Sequence, residues 1–132
     1  MIVAIDGPAG AGKSTVAREV ARRLGAAYLD TGAMYRALTL LAVRRGVAAS
    51  DGEALVALAR QHPVEIVPTG DGDRVFVDGE DVTAEIRTPE VATLVSEVSA
   101  HPGVREQMVA AQRALMSRGN WVSDGRDVGS TV

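Results

Sequence analysis

The sequence contains no cysteine, and this absence excludes disulfides, thiolate metal sites and cysteine nucleophiles. A net positive charge is also missing: the formal charge at pH 7 is −3, so no overall positive field attracts nucleic acid or anionic lipid. The longest aliphatic run, residues 37–43, is far too short to span a bilayer, and Met1 leads straight into the first predicted strand without room for a signal peptide. We therefore expect a cytoplasmic protein without nucleic-acid or membrane partners.

The opening of the chain carries its most specific motif. A short apolar run at residues 2–6 passes into a glycine-rich loop and then into an amphipathic helical pattern, which matches the G-x-x-x-x-G-K-S/T phosphate-binding loop. Glycines let the backbone approach an anion closely, and the N–H groups and the dipole of the following helix favour phosphate. The residues predicted to bind ATP are Gly7, Pro8, Ala9, Gly10, Ala11, Gly12, Lys13, Ser14 and Thr15.

Three residues are candidates for the chemistry of phosphoryl transfer. Lys13 supplies a positive charge to the transferred phosphate, and the Ser14 hydroxyl is the predicted ligand of Mg²⁺. Asp124, at the end of a predicted strand, is a candidate for orienting the Mg²⁺ shell, and a helix or turn cap is its alternative role. A plain glycine-rich turn between strand and helix is the alternative interpretation of the whole loop.

The order of predicted elements indicates an α/β fold with a parallel sheet. Residues 26–29 form a second strand, a helix runs from Thr31 to its stop at Gly46, and a third parallel strand covers 120–124. We predict a P-loop NTPase-type three-layer parallel sheet that is incomplete, with about three core strands. The predicted domains are residues 1–62 for the first half of the core, 63–100 for an insert and the following helix, and 101–132 for the return to the core.

The middle of the chain has a different character. Residues 64–67, 74–77 and 80–83 read as three short strands, and the turn Asp78-Gly79 joins the last two, so we predict a small antiparallel insert. Before it, Ser50 and Glu53 form an S-x-x-E capping box that predicts the start of a helix ending before Pro63.

Two further stretches bear on the phosphate acceptor. Residues 30–36 and 124–127 each follow the carboxyl end of a predicted parallel strand, where ligands bind in open α/β sheets. Each carries an arginine, Arg36 or Arg126, beside small or hydroxyl residues, as recognition of a phosphate monoester requires. Either arginine by itself reads as a solvated surface charge. Two such stretches beside one phosphate loop favour an acceptor site.

At these stretches the sequence closely resembles the bacterial cytidylate kinases, which phosphorylate CMP and dCMP from ATP. The matching segments are IDGPAGAGKST, LDTGAMYRALTLLA, GEDVTAEIRTPEVATLVSEVSAHPGVRE and SDGRDVG. The resemblance implies ATP with Mg²⁺ as donor and cofactor, CMP or dCMP as acceptor, and a monophosphate-binding role for the insert. It further implies that Thr31, Arg36 and Arg126 hold the CMP phosphate, and that Ser96, Arg105 and Asp127 read cytosine. We predict Lys13, Arg126 and Asp124 as catalytic residues, acting by positioning and charge neutralisation without a general base.

Members of the family continue for roughly as long again, in α/β units of typical domain size. The resemblance therefore implies the N-terminal portion of such a kinase, a monomer at full length, with association through an open apolar sheet edge as a hazard. Two alternatives stay open. One is a non-catalytic nucleotide-binding fragment without the arginines of the lid. The other is a different small-molecule kinase, which would need a carboxylate base for a hydroxyl acceptor.

Overall fold

The computed structural model describes residues 2–6, 19, 23, 27–69, 72–117 and 121–125. Within them, the helices and strands follow one another in the order given next. They are β1 (Ile2–Asp6), β2 (Ala27–Asp30), α1 (Thr31–Arg45), α2 (Gly52–Gln61), β3 (Val64–Thr69), β4 (Gly72–Val77), β5 (Glu80–Asp81), a 3₁₀ turn (Glu85–Arg87), α3 (Pro89–Ala100), α4 (Pro102–Met116) and β6 (Trp121–Gly125). None of the helices among these residues has the length and apolar character needed to cross a bilayer.

The chain divides into two compact units. One comprises Met1–Thr31 together with Val109–Val132, and the other comprises Gly32–Met108. The three predicted segments, 1–62, 63–100 and 101–132, were defined by sequence character and not by compactness, so that division stays a prediction.

The first unit contains a parallel sheet in the order β1-β6-β2. Strand β6 pairs along its whole length with β1, from Ile2 opposite Trp121 to Asp6 opposite Gly125. Its other edge pairs with β2, from Ala27 opposite Trp121 to Asp30 opposite Asp124. The parallel direction is consistent with the predicted core. Strand β6, which follows β1 and β2 in the chain, lies between them in the sheet.

Helix α1 is buried over most of its circumference. Ala33, Met34 and all six residues from 37 to 42 are buried, and full exposure begins only at Arg44 and Arg45. The helix ends in a Schellman motif, because the Gly46 N–H bonds the Val43 carbonyl at 3.3 Å and the Val47 N–H bonds the Ala42 carbonyl at 2.8 Å. Gly46 has a φ of +67°, which a residue without Cβ adopts at little cost, so the predicted stop at Gly46 is confirmed.

The start of helix α2 differs from the predicted capping box. Asp51, not Ser50, is the N-cap: its Oδ1 accepts a hydrogen bond from the Ala54 N–H at 3.2 Å. An N-cap side chain reaches the N–H three residues ahead, so a cap at Asp51 places Glu53 at the second helical position, one short of where it would close the box. The capping box was therefore wrong by one residue, although the helix ends at Gln61, before Pro63.

Helix α2 lies against the beginning of α4 in the second unit. A Cβ added to Gly52 would lie 2.9 Å from Nδ1 of His101, and one added to Gly103 would lie 3.2 Å from Cγ2 of Val56. One turn further along, Arg60 Nε donates to Gln107 Oε1 at 3.1 Å. The α2 residues in these contacts are spaced by four and so share one helix face.

The start of α4 has a further anchor outside α2. The His101 ring bonds the Ala49 carbonyl through Nε2 at 2.7 Å, which ties α4 to the loop between α1 and α2. Together with the α2 contacts, this bond fixes the first turn of α4 within the second unit.

The predicted insert is an antiparallel sheet in the order β3-β4-β5. Its turn residues Asp78 and Gly79 both have positive φ, 52° and 80°, as the tight primed turns of hairpins require. The third strand is shorter than predicted and ends at Asp81. Asp81 Oδ1 accepts bonds from the N–H and hydroxyl of Thr83, at 2.9 Å and 2.6 Å, and this local turn replaces continued strand pairing.

The core of the second unit is aliphatic. Helices α1, α2 and α3, the hairpin, the 3₁₀ turn and the start of α4 all contribute side chains that are almost completely buried. The largest of these are Met34, Leu38, Leu55, Val75, Val82, Ile86, Val91, Val98 and Val104. On α3, Val91 and Val98 are buried, and Leu94 and Val95 are half-buried.

Candidate functional site

The three strands of the parallel sheet end at one edge, and each is followed in the sequence by a motif-bearing stretch. In the register of the strands, Asp6 lies opposite Gly125, and Asp30 lies opposite Asp124. The carboxyl ends of β1, β2 and β6 therefore coincide within the first unit. In the sequence, the glycine-rich motif follows β1 directly, Thr31 follows β2, and Arg126 follows β6. This is the edge at which open α/β sheets bind ligands.

Several predicted site residues lie outside the described residues. They are Gly7, Pro8, Ala9, Gly10, Ala11, Gly12, Lys13, Ser14, Thr15, Arg126 and Asp127. Asp124 is described as part of strand β6 by its backbone pairing. The roles of Asp124 and of the residues outside the described ranges stay predictions.

The remaining predicted residues belong to helices. Thr31 is the first residue of α1 and is buried, with 5% of its surface exposed. Arg36 is half-buried on α1, and the Nε atom of its guanidinium group is buried. Ser96 on α3 and Arg105 on α4 are both exposed. The second unit thus carries Arg36, Ser96 and Arg105 on three different helices.

The acceptor-candidate stretch on α1 contains one residue with a shifted pKa. The side chain of Tyr35 is half-buried. Burial raises the pKa of Tyr35, while the charge and hydrogen bond of Arg105 oppose that rise.

Tyr35 is a residue to which the sequence analysis assigned no role. It stands between Met34 and Arg36 in the stretch already identified as an acceptor candidate, yet helical spacing alone gave it no partner. Arg105, whose charge lowers the pKa of Tyr35, is 70 residues away in the chain and on a different helix. A half-polar aromatic residue beside a candidate arginine was the available signal.

The chain matches the family model described as cytidylate kinase over residues 3–132. A cytidylate kinase of Symbiobacterium thermophilum is 56% identical over 133 residues, which cover 100% of this chain. The chain belongs to the cytidylate kinase family. Cytidylate kinases of Geobacillus sp. (strain WCH70) and Geobacillus thermodenitrificans are each 55% identical over 130 residues, or 98% of this chain. The resemblance read from the sequence is confirmed, and with it the P-loop NTPase class of the family.

The chain spans 59% of the length of the Symbiobacterium kinase and 58% of each Geobacillus kinase. The activity and substrates of a whole cytidylate kinase are therefore treated below as proposals for this chain.

The oxygen donors predicted for Mg²⁺ suit that ion. A serine hydroxyl and a carboxylate are hard ligands, which Mg²⁺ prefers together with phosphate oxygens and water. In the register of β1 and β6, Asp124 lies opposite Ile5. The glycine-rich motif begins at Gly7, two residues after Ile5 in the sequence. One predicted ligand, Asp124, is therefore in β6, and the other, Ser14, comes after the neighbouring strand β1 in the sequence. Among the described side chains, no group of three or more His, Cys, Asp and Glu residues gathers as a separate metal site.

Proposed function

We propose that this protein transfers the γ-phosphoryl group of ATP to CMP or dCMP, giving ADP and CDP or dCDP. The observation that carries the proposal is the common carboxyl edge of β1, β2 and β6, from which all three phosphate-directed stretches begin in the sequence. Membership of the cytidylate kinase family supports the choice of acceptor.

In the proposed reaction an oxygen of the CMP phosphate attacks the γ-phosphorus of ATP, and the bond from that phosphorus to the β,γ-bridging oxygen breaks. The attacking oxygen is already anionic at neutral pH, so no side chain has to remove a proton. The chain's task is alignment of the two nucleotides and neutralisation of charge. Neither histidine is needed for this chemistry: His62 Nδ1 bonds Asp78 Oδ2 at 2.7 Å in the hairpin turn, and His101 anchors α4.

We assign the binding of ATP, the phosphoryl donor, to residues 7–15, where the positive charge of Lys13 would stabilise the transferred phosphoryl group. Ser14 would hold Mg²⁺, and Asp124 would orient its shell. When bound with ATP, Mg²⁺ supplies charge neutralisation on the phosphate oxygens. Thr31, Arg36 and Arg126 would bind the phosphate of CMP, and Ser96, Arg105 and Asp127 would recognise its cytosine. The half-buried setting of Arg36 supports its role, because partial desolvation strengthens a charge-assisted bond to phosphate.

The test is steady-state ADP formation with ATP and Mg²⁺, measured with CMP, dCMP, AMP and a hydroxyl acceptor in turn. We expect CMP and dCMP to support turnover well above AMP, and Lys13→Ala to abolish the CMP-dependent rate. CMP-dependent turnover no higher than that of Lys13→Ala would reject the kinase assignment for this chain.

The alternatives give different results in the same assay. A non-catalytic nucleotide-binding protein would bind ATP, and Lys13→Ala would weaken that binding, without any acceptor-dependent ADP formation. A kinase for another small molecule would be stimulated by the hydroxyl acceptor and not by CMP, because its reaction needs a carboxylate base.

A further inference from the structure

We propose that His101 is a positioning residue for cytosine recognition: its ring holds the joint between α3 and α4 in the orientation in which Ser96 and Arg105 read the base. This inference rests on the proposed function, since both residues are assigned there to cytosine. His101 lies between them in the chain, five residues after Ser96 and four before Arg105, and it does not have to touch the nucleotide.

The first support is a short hydrogen bond from the joint to a distant loop. His101 is the C-cap of α3, and α4 begins at the next residue, Pro102. Nε2 of the half-buried His101 ring lies 2.7 Å from the Ala49 carbonyl oxygen, in the loop between α1 and α2. A carbonyl oxygen only accepts, so Nε2 carries the hydrogen. The bond therefore ties the joint to the loop that follows α1, the helix that carries Arg36.

The second support is a close approach at the other nitrogen of the ring. A Cβ at Gly52 would lie 2.9 Å from Nδ1 of His101 and 3.3 Å from its Cγ, so the ring occupies this position only beside a residue without Cβ. Gly52 is the first residue of α2. The ring thus has a hydrogen bond at Nε2 and the start of α2 beside Nδ1, and both contacts restrict its rotation.

The third support connects this anchored joint to the residues that would read cytosine. The Arg105 N–H bonds the His101 carbonyl at 3.1 Å, so Arg105 belongs to the helical turn that begins at His101. Val104, beside Arg105, is completely buried, and so is Val98, two residues after Ser96. A side chain next to an anchored joint has a defined position, as specific recognition of a base requires.

The expected effect follows from the bond that is lost. His101→Leu keeps an apolar side chain and removes the bond to Ala49. One hydrogen bond changes an equilibrium constant about three- to tenfold, and we expect the KM for CMP to rise by about that factor. Because the two readers contact the base and not the reacting phosphate, kcat should change by less than about twofold. His101→Gln supplies an amide N–H in place of the Nε2 donor and should restore most of the affinity.

Base selectivity separates a positioning role from a general loss of stability. Cytosine has an acceptor at N3 where uracil has an N–H, and a guanidinium group only donates, so a correctly oriented Arg105 favours cytosine. We expect His101→Leu to lower the ratio of kcat/KM for CMP to that for UMP by about three- to tenfold. His62→Leu is the matched control, because it removes a bond of the same 2.7 Å length, to Asp78 in the hairpin turn, and should leave the ratio within about twofold.

Two further variants sharpen the assay. Gly52→Ala removes no polar group and favours the helix, yet its Cβ has to displace the His101 ring, so it should raise the KM for CMP and lower the ratio as His101→Leu does. Beside Arg105→Met, His101→Leu should lower the ratio much less than it does alone. An equal effect in both backgrounds, or an equal fall of the ratio in His62→Leu, would overturn the proposal.

An NMR measurement tests the contact independently of the reaction. The chain has two histidines, and the tautomers expected for them differ. His101 carries its hydrogen on Nε2, whereas His62, whose Nδ1 bonds the Asp78 carboxylate, carries it on Nδ1. Long-range ¹H–¹⁵N correlation spectra of the neutral rings distinguish these tautomers, and His62→Leu assigns the signals. A hydrogen on Nδ1 of His101 in place of Nε2 contradicts the contact and the proposal with it.

The two measurements separate the possible failures. If wild-type protein phosphorylates CMP while His101→Leu and Gly52→Ala keep the wild-type KM and base selectivity, the positioning role is wrong and the proposed function stands. If wild-type protein neither binds nor phosphorylates CMP while His101 carries its hydrogen on Nε2, the contact stands, and both the proposed function and the role in cytosine recognition are wrong.

Discussion

Replacing Asp51 by alanine tests how helix α2 begins. Asp51 Oδ1 is the acceptor for the Ala54 N–H, at a distance of 3.2 Å that lies at the long end of the normal range. The side chain is exposed, so water compensates part of the loss. N-cap replacement by alanine costs roughly 0.5–2 kcal/mol, and the long, exposed bond places this case near about 1 kcal/mol.

For a domain of this size, a loss of about 1 kcal/mol lowers the unfolding midpoint by about 3–6 °C. The assay is thermal unfolding at neutral pH, followed by circular dichroism. Asp51→Asn is the matched control, since it keeps an acceptor oxygen of the same reach and is nearly as good a cap, so its midpoint should stay within about 2 °C of wild type.

Ser50→Ala separates the observed cap from the capping box that the sequence predicted. The Ser50 side chain is exposed and is not the N-cap, so its loss should change stability by no more than about 0.5 kcal/mol. The reasoning is refuted if Ser50→Ala lowers the midpoint as much as Asp51→Ala does, or if Asp51→Ala leaves it unchanged.

Three further predictions concern the second unit. The bonds from Thr83 and Arg74 lower the pKa of Asp81 from 3.8 to about 2, so its ionised form contributes stability that is present above about pH 4 and lost as the pH falls toward 2. Asp81→Asn should therefore flatten the dependence of the unfolding midpoint on pH in this window, and an unaltered dependence would contradict the assignment. Gly103→Ile should lower the free energy of unfolding in urea by about 1–3 kcal/mol, because a Cβ there meets Val56 Cγ2 at 3.2 Å. Adding Val56→Ala should recover part of that loss, and purely additive losses would count against the close contact between the helices. Met34→Ala should cost about 2–5 kcal/mol because Met34 is completely buried, and a loss below about 1 kcal/mol would show that the α1 face is not core.

Local features of the fold were predictable where one residue type has one physical use. Gly46 ends α1 because the Schellman motif needs a positive φ, and Asp78-Gly79 forms the hairpin turn for the same reason. The cap of α2 was missed by one residue, because Ser50 and Asp51 are both good caps in sequence and only the hydrogen bond to Ala54 distinguishes them.

Features that depend on distant pairing could not be predicted in the same way. Strand order is one of these features. Strand β6 follows β1 and β2 in the sequence but lies between them in the sheet, and no local sequence pattern encodes that position. The contacts between α2 and the start of α4 are another, because Val56 and Arg60 meet residues far away in the chain, Gly103 and Gln107. The motifs predict which residues bind phosphate, whereas contacts between elements far apart in the chain follow from tertiary packing.

The most direct test of the central claim is to compare CMP and ATP binding by calorimetry in wild-type protein, Arg36→Ala and Arg45→Ala. Arg45 is an exposed arginine in the last turn of the same helix, so its replacement changes the net charge equally. We predict that Arg36→Ala weakens CMP binding about 10- to 100-fold and ATP binding less than about threefold, while Arg45→Ala affects neither beyond about twofold. Equal weakening of both nucleotides by Arg36→Ala, or no weakening of either, would contradict the claim that α1 carries the acceptor's phosphate.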